Sequence, residues 1–100
     1  MINRATHESI VEKLLVRACK EKGIKCIKGK IGDKGFVDRI IFQTFTHKII
    51  YAEIKNETYY MRTPTQIEWA KRISNSGGIY ILIDGVDEMR RFIKLEIKGE

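Results

Sequence analysis

Three charged side chains interrupt two apolar runs that otherwise look like β-strands. Residues 35–55 read G-F-V-D-R-I-I-F-Q-T-F-T-H-K-I-I-Y-A-E-I-K, with Asp38 in the first run and Glu53 and Lys55 in the second. Strand side chains alternate between faces, so Glu53 and Lys55 point the same way. An antiparallel hairpin centred between Phe45 and Thr46 sets Asp38 opposite Glu53, Ile40 opposite Tyr51 and Phe42 opposite Ile49. Facing Cβ atoms in such a pair are about 4.5–5.5 Å apart, close enough for two carboxylates to repel. A divalent cation between them converts repulsion into coordination, because hard cations take carboxylate oxygens. The chemistry this allows is metal-assisted hydrolysis, with Lys55 beside the reacting group to orient water or stabilise developing negative charge. A simple salt bridge between Glu53 and Lys55 is the plainer reading, but it leaves Asp38 unexplained.

The flanking elements must carry further groups to this hairpin. Upstream, Ile10, Val11, Leu14, Leu15 and Ala18 follow helical spacing from Glu8 to Lys22, with Thr6 as a candidate cap and Gly23 as the stop. Glu12 falls at the border of that apolar stripe and Glu8 lies one turn earlier. Either can reach the fold from the helix edge, or Glu12 can pair with Arg17 in solvent. Residues 24–28 (I-K-C-I-K) read as a short strand, and G-K-I-G-D-K-G follows. That loop lacks phosphate-loop spacing and no helix follows it, so a nucleotide site is rejected. It is either a flexible connection or a basic loop beside a DNA backbone, with Lys28, Lys30 and Lys34 as contacts.

Downstream, residues 56–62 hold Tyr59, Tyr60, Met61 and Arg62. Aromatic and basic groups together can hold nucleic acid, and they can equally pack at a domain edge. Thr63-Pro64-Thr65-Gln66 is a helix start with a capping box, in a helix running to about Asn75. Gln66 lies near the middle of that helix's apolar face, so capping and an inward role compete for one side chain. Ile79–Ile83 has no polar break and predicts a central strand buried on both sides. Val86 to Ile97 favours a closing helix over a final strand. The result is one α/β domain over residues 1–100, a mixed sheet flanked by helices in the order αβββαβα.

Composition narrows the setting. The 100 residues, 43% hydrophobic, build one modest core, so a second copy is a natural source of further burial. A net charge of +6 suits a polyanionic partner, nucleic acid being the commonest. Cys19 and Cys26 stand at no metal-ligand spacing to His7 or His47, which argues against zinc and suits a reducing cytoplasm. No apolar run is long enough to span a membrane, and no secretory signal is expected.

Four elements in order resemble the VRR-NUC family, within the PD-(D/E)XK nuclease fold, over residues 12–85. A helix glutamate before glycine matches V-E-K-L-L-V-R-A-C-K-E-K-G. A Gly-rich loop running into Gly-x-Pro-Asp-Arg matches G-D-K-G-F-V-D-R, with Val37 where the family usually has proline. Glu-x-Lys matches Y-A-E-I-K, and the Ser/Thr-Pro-x-Gln helix start matches T-P-T-Q. The resemblance implies an endodeoxyribonuclease using Mg²⁺ or Mn²⁺. It further implies Asp38, Glu53 and the Ile54 carbonyl as metal ligands, and Glu12 at the site edge, directly or through water. Lys55 and Gln66 are implied as the remaining catalytic groups. Arg39 and Arg62 join the three lysines as candidate DNA contacts. Compact stand-alone members, often from phages or prophages, look like homodimers acting on branched DNA such as four-way junctions. A catalytically silent DNA-binding module and a sequence-specific restriction-type enzyme are the competing readings. The first has no need of the carboxylates, and the second needs recognition elements that this length hardly admits.

Overall fold

The first helix begins a turn earlier than its apolar stripe does. In the computed structural model, which describes residues 4–29, 36–55 and 62–100, α1 spans Arg4–Lys22. Thr6 therefore lies inside the helix instead of capping it. Nothing among Arg4, Ala5 and Thr6 breaks a helix, so the hydrogen-bond ladder extends upstream once the downstream turns are packed. Val11, Leu15, Ala18 and Cys19 form the buried stripe, while Ile10, placed in it by spacing, is 43% exposed. Gly23, at φ +68°, ends the helix in the left-handed region that favours glycine. The Ile24 N–H then returns to the Cys19 carbonyl at 2.9 Å.

Three antiparallel strands follow: β1 (Lys25–Lys28), β2 (Arg39–Gln43) and β3 (Lys48–Lys55). The β2–β3 register pairs Ile40 with Tyr51 and Phe42 with Ile49, as the symmetric hairpin predicts. A four-residue turn, Thr44–His47, closes it, with His47 at φ 58°. Helix α2 (Pro64–Asn75) crosses over, and β4 (Ile79–Asp84) returns parallel to β3. Sheet order is β1-β2-β3-β4, so β4 is an edge strand. The expectation of a central strand fails for a definite reason. Ile79, Ile81 and Ile83 pack on one face and Tyr80 on the other, which removes polar residues from the run while the outer edge stays open. Along β4 only Ile83 is fully buried.

The chain closes with helix α3 (Gly85–Phe92), which continues into a π-helical turn at Ile93–Ile97. A helix, not a strand, thus ends the fold. Phe92, Ile93 and Ile97 join α1 and the sheet in the main core with Leu15, Ile41, Ile50 and Met89. Gln43, buried at the hairpin end, fastens this closing turn: its Nε2 donates to the Glu96 carbonyl at 2.9 Å and to Glu96 Oε2 at 2.6 Å. One face of the sheet is therefore filled by α1 and α3. The other holds α2 over a small cluster of Val37, Ile40 and Ile73, with Phe36, Tyr51 and Tyr80 packed against it.

Candidate active site

Strand alternation sorts the chemical groups by face. On β3, Tyr51, Glu53 and Lys55 share the face that α2 covers, while Ala52 and Ile54 face α1. Asp38 immediately precedes β2. Its N–H donates to the Ala52 carbonyl at 3.0 Å, and its own carbonyl accepts from Gly29 N–H at 3.0 Å. The strand ladder is thus continued by one residue, which carries Asp38 to the level of Glu53. Gly29 is required there: a Cβ would stand 2.0 Å from the Val37 carbonyl oxygen. The first glycine of the loop is what lets β1 approach the backbone that presents Asp38.

Glu53 is the most enclosed of these groups, at 2% exposure. Its Oε1 accepts a hydrogen bond from the Tyr80 hydroxyl. Its Oε2 is buried with no hydrogen bond, 3.8 Å from Lys55 Nζ and 3.8 Å from Arg62 Nε. A buried charged oxygen without a close donor is costly unless a cation or water completes it. Lys55 Nζ is held by Gln66 Oε1 at 3.3 Å. The same oxygen accepts from the Thr63 N–H at 2.9 Å, and the Gln66 N–H donates to Thr63 Oγ1 at 3.1 Å. The capping role and the inward role, posed as rivals by the sequence, are met by one side chain at the helix start.

Asp38 Oδ2 accepts from the Ile54 N–H at 2.7 Å. The carboxyl pKa is nonetheless pushed up to about 6, first by burial and then by Glu12 and Glu53, with the Ile54 N–H and Lys55 opposing. The residue as a whole is exposed, with Oδ2 tied to the backbone of β3.

Glu12 reaches the same region from the other side. Its Oε2 accepts from Arg39 Nε at 2.6 Å, a contact between α1 and the start of β2. Of the two helix glutamates, Glu12 is the one Arg39 binds, and the pairing with Arg17 is not formed. Arg39, a candidate DNA contact, is occupied by this ion pair. Arg62 lies inside the site: its Nη2 donates to the Tyr80 hydroxyl at 2.9 Å and its guanidinium sits 5.4 Å from that ring's centre. Lys28 is exposed at the end of β1. Lys30, Lys34, Tyr59, Tyr60 and Met61 lie outside the described residues.

Among the described residues no three histidine, cysteine, aspartate or glutamate side chains gather as a ready metal cage. The fit of a metal rests on fewer groups. The groups that would serve as donors are Asp38, Glu53, whose Oε2 accepts no hydrogen bond, and the carbonyl of Ile54, the residue after Glu53. Two carboxylates with water and phosphate oxygens suffice for Mg²⁺, which keeps much of its hydration, so the residues fit the ion.

Two groups here escaped the sequence reading. Tyr80 stands opposite Tyr51 in the β3–β4 register and bonds to Glu53. A lone hydroxyl in the apolar run I-Y-I-L-I needs a partner, and that was the available signal. Burial first, and then the Glu53 carboxylate, push its phenol pKa up, so it stays a donor. Asp84 stands opposite Lys55 on β4 with Oδ1 buried and unpartnered.

No family model matches the sequence, and no curated protein resembles it significantly. Among solved structures, one described as a VRR_NUC domain protein superposes with a TM-score of 0.72 at 20% identity. The match covers 92% of this chain and 88% of the other. At that identity the likeness concerns architecture alone: the chain has the VRR-NUC fold.

Proposed function

We propose that this protein is a metal-dependent endodeoxyribonuclease. The observation that carries the reading is Glu53: a buried carboxylate with one oxygen that accepts no hydrogen bond, level with Asp38 across the hairpin and flanked at 3.8 Å by Lys55 and Arg62. Ion pairing with Lys55 and Arg62 accounts for Glu53 alone, and it leaves the opposed Asp38 without a role. Asp38, Glu53 and the Ile54 carbonyl would hold Mg²⁺ or Mn²⁺, with Glu12 contributing through water. When bound, the ion supplies an activated water and neutralises charge on the scissile phosphate.

The chain's own groups do the rest. Tyr80 fixes the rotamer of Glu53. Gln66 holds the Lys55 ammonium over the same face, where it orients the attacking water or stabilises the phosphorane-like transition state. Arg62, tethered to Tyr80, is placed to meet a phosphate oxygen. The substrate is DNA, with branched forms such as four-way junctions preferred and a homodimer as the acting species, so that two sites at fixed spacing read shape.

Labelled four-way junction, flap and linear duplex incubated with Mg²⁺, Mn²⁺ or EDTA test this directly. Metal-dependent cutting, strongest on branched substrates and abolished by Glu53→Ala with binding retained, is the expected result. Cutting that persists in EDTA sinks the mechanism. Tight binding without cutting of any substrate marks a silent module instead. Light scattering tests the dimer.

A further inference from the structure

Beside the proposed catalytic groups, a cavity of about 410 Å³ opens on the α2 side of the sheet. Its walls are largely aromatic. Phe36 meets Trp69 edge-on at a centroid distance of 4.7 Å and Tyr51 at 6.4 Å. The Arg72 guanidinium lies 5.4 Å from the centre of the Trp69 ring. Phe36, Tyr51 and Trp69 are all only half-buried, so ring surface faces the opening. Gly78 lines the cavity, and a Cβ there would press to 2.8 Å on an Ile73 methyl.

The cavity lies on the same sheet face as the site. Tyr51 precedes Glu53 by two residues on one strand face, about 6–7 Å away. Phe36 stands two residues before Asp38. Tyr80, which bonds to Glu53, packs in the same cluster as Tyr51 and Ile73. Resting on the endonuclease reading, we infer that this cavity takes one unpaired nucleobase of the DNA strand whose backbone runs over Glu53 and Lys55. Aromatic faces with a flanking guanidinium stack on any base, because every base has a π-face. A base held in a duplex stack cannot enter. The cavity therefore favours strands with an unpaired position next to the scissile phosphate. The charge balance fits, since the +6 chain draws in the polyanion and Arg72, paired with Glu68 at 3.3 Å, lines the cavity.

Trp69 is the only tryptophan, so its emission reports this cavity alone. The full chain is titrated in EDTA with three dye-labelled DNAs: a flap, the same flap with abasic positions walked through the unpaired arm, and a fully paired duplex. Anisotropy reads binding and Trp69 emission reads stacking. The expected result is saturable quenching by the flap, lost for abasic substitution at one position, with affinity falling about 5- to 100-fold there. Binding of the flap without quenching, or equal quenching by paired duplex, overturns the inference while leaving the nuclease reading intact. So does emission that tracks protein concentration without DNA, which marks the cavity as a contact between copies. No binding of any DNA overturns the nuclease reading as well.

Discussion

Glu53 and Asp38 occupy the same site but are stabilised in different ways, and the difference makes each testable. Glu53 accepts a hydrogen bond from the Tyr80 hydroxyl, which on the proposed reading acts by positioning the carboxylate. Tyr80→Phe removes the hydroxyl and keeps the ring, so the fold should survive. Partners of metal-binding carboxylates are typically worth about 10–100-fold in metal affinity or activity. Calorimetry with Mn²⁺ should show a loss of that size, and unchanged affinity would exclude the positioning role. Asp38 is instead destabilised when ionised: its pKa is raised to about 6, against about 3.9 for a free aspartate. Ionisation therefore costs the folded state more than the unfolded one. Without metal, stability is highest when Asp38 is protonated and falls as pH rises through roughly 4 to 6. Asp38→Asn should thus raise the melting temperature of chelated protein at pH 7. The gain should shrink toward zero near pH 4. A gain that persists at low pH would point to a packing effect instead.

At the scale of elements, the start of α2 links stability to chemistry. Thr63 and Gln66 exchange hydrogen bonds in a capping box, and Gln66 also holds Lys55. Thr63→Ala should cost about 0.5–2 kcal/mol in urea unfolding. It should also lower the turnover rate, because a frayed first turn releases Gln66. Loss of stability with unchanged turnover would separate the two roles. This box was legible in sequence, since T-P-T-Q states its own geometry. So was the hairpin register, because Phe45 and Thr46 lie at the centre of two apolar runs and a one-residue slip would bury the wrong face. The contact of α1 with β2 was less legible. Helical spacing let both Glu8 and Glu12 turn toward the fold, and the ion pair that Glu12 makes is with Arg39, 27 residues away, which no local pattern contains. Tyr80 was missed for a related reason, since its partnership with Glu53 exists only once β4 pairs with β3. The same pairing misled the reading of β4, whose apolar run reports two packed faces and says nothing of the open edge.

Across the whole molecule, the sheet divides labour. The α1 and α3 side carries the large core that supplies most of the burial, and the α2 side carries the charged groups over a small cluster. This asymmetry lets the α2 face keep a buried carboxylate oxygen without a hydrogen bond and an open aromatic cavity without unfolding the chain. It also predicts how DNA is held. With +6 net charge, affinity should come largely from phosphate contacts and drop steeply with salt. Lys28, exposed at the end of β1, has no ion pair among the described residues, whereas Arg39 is already bound to Glu12. Lys28→Ala should therefore weaken binding by a similar factor on every DNA form and reduce the salt slope by about 1. Arg39→Ala should behave differently. It frees Glu12 next to Asp38, and added negative charge raises the Asp38 pKa further. Its main effect should be an acid limb of the cleavage profile shifted upward in pH, with the salt slope nearly unchanged. If Arg39→Ala instead lowers the slope as Lys28→Ala does, the arginine leaves Glu12 when DNA binds, and the Glu12–Arg39 pair belongs only to the free protein.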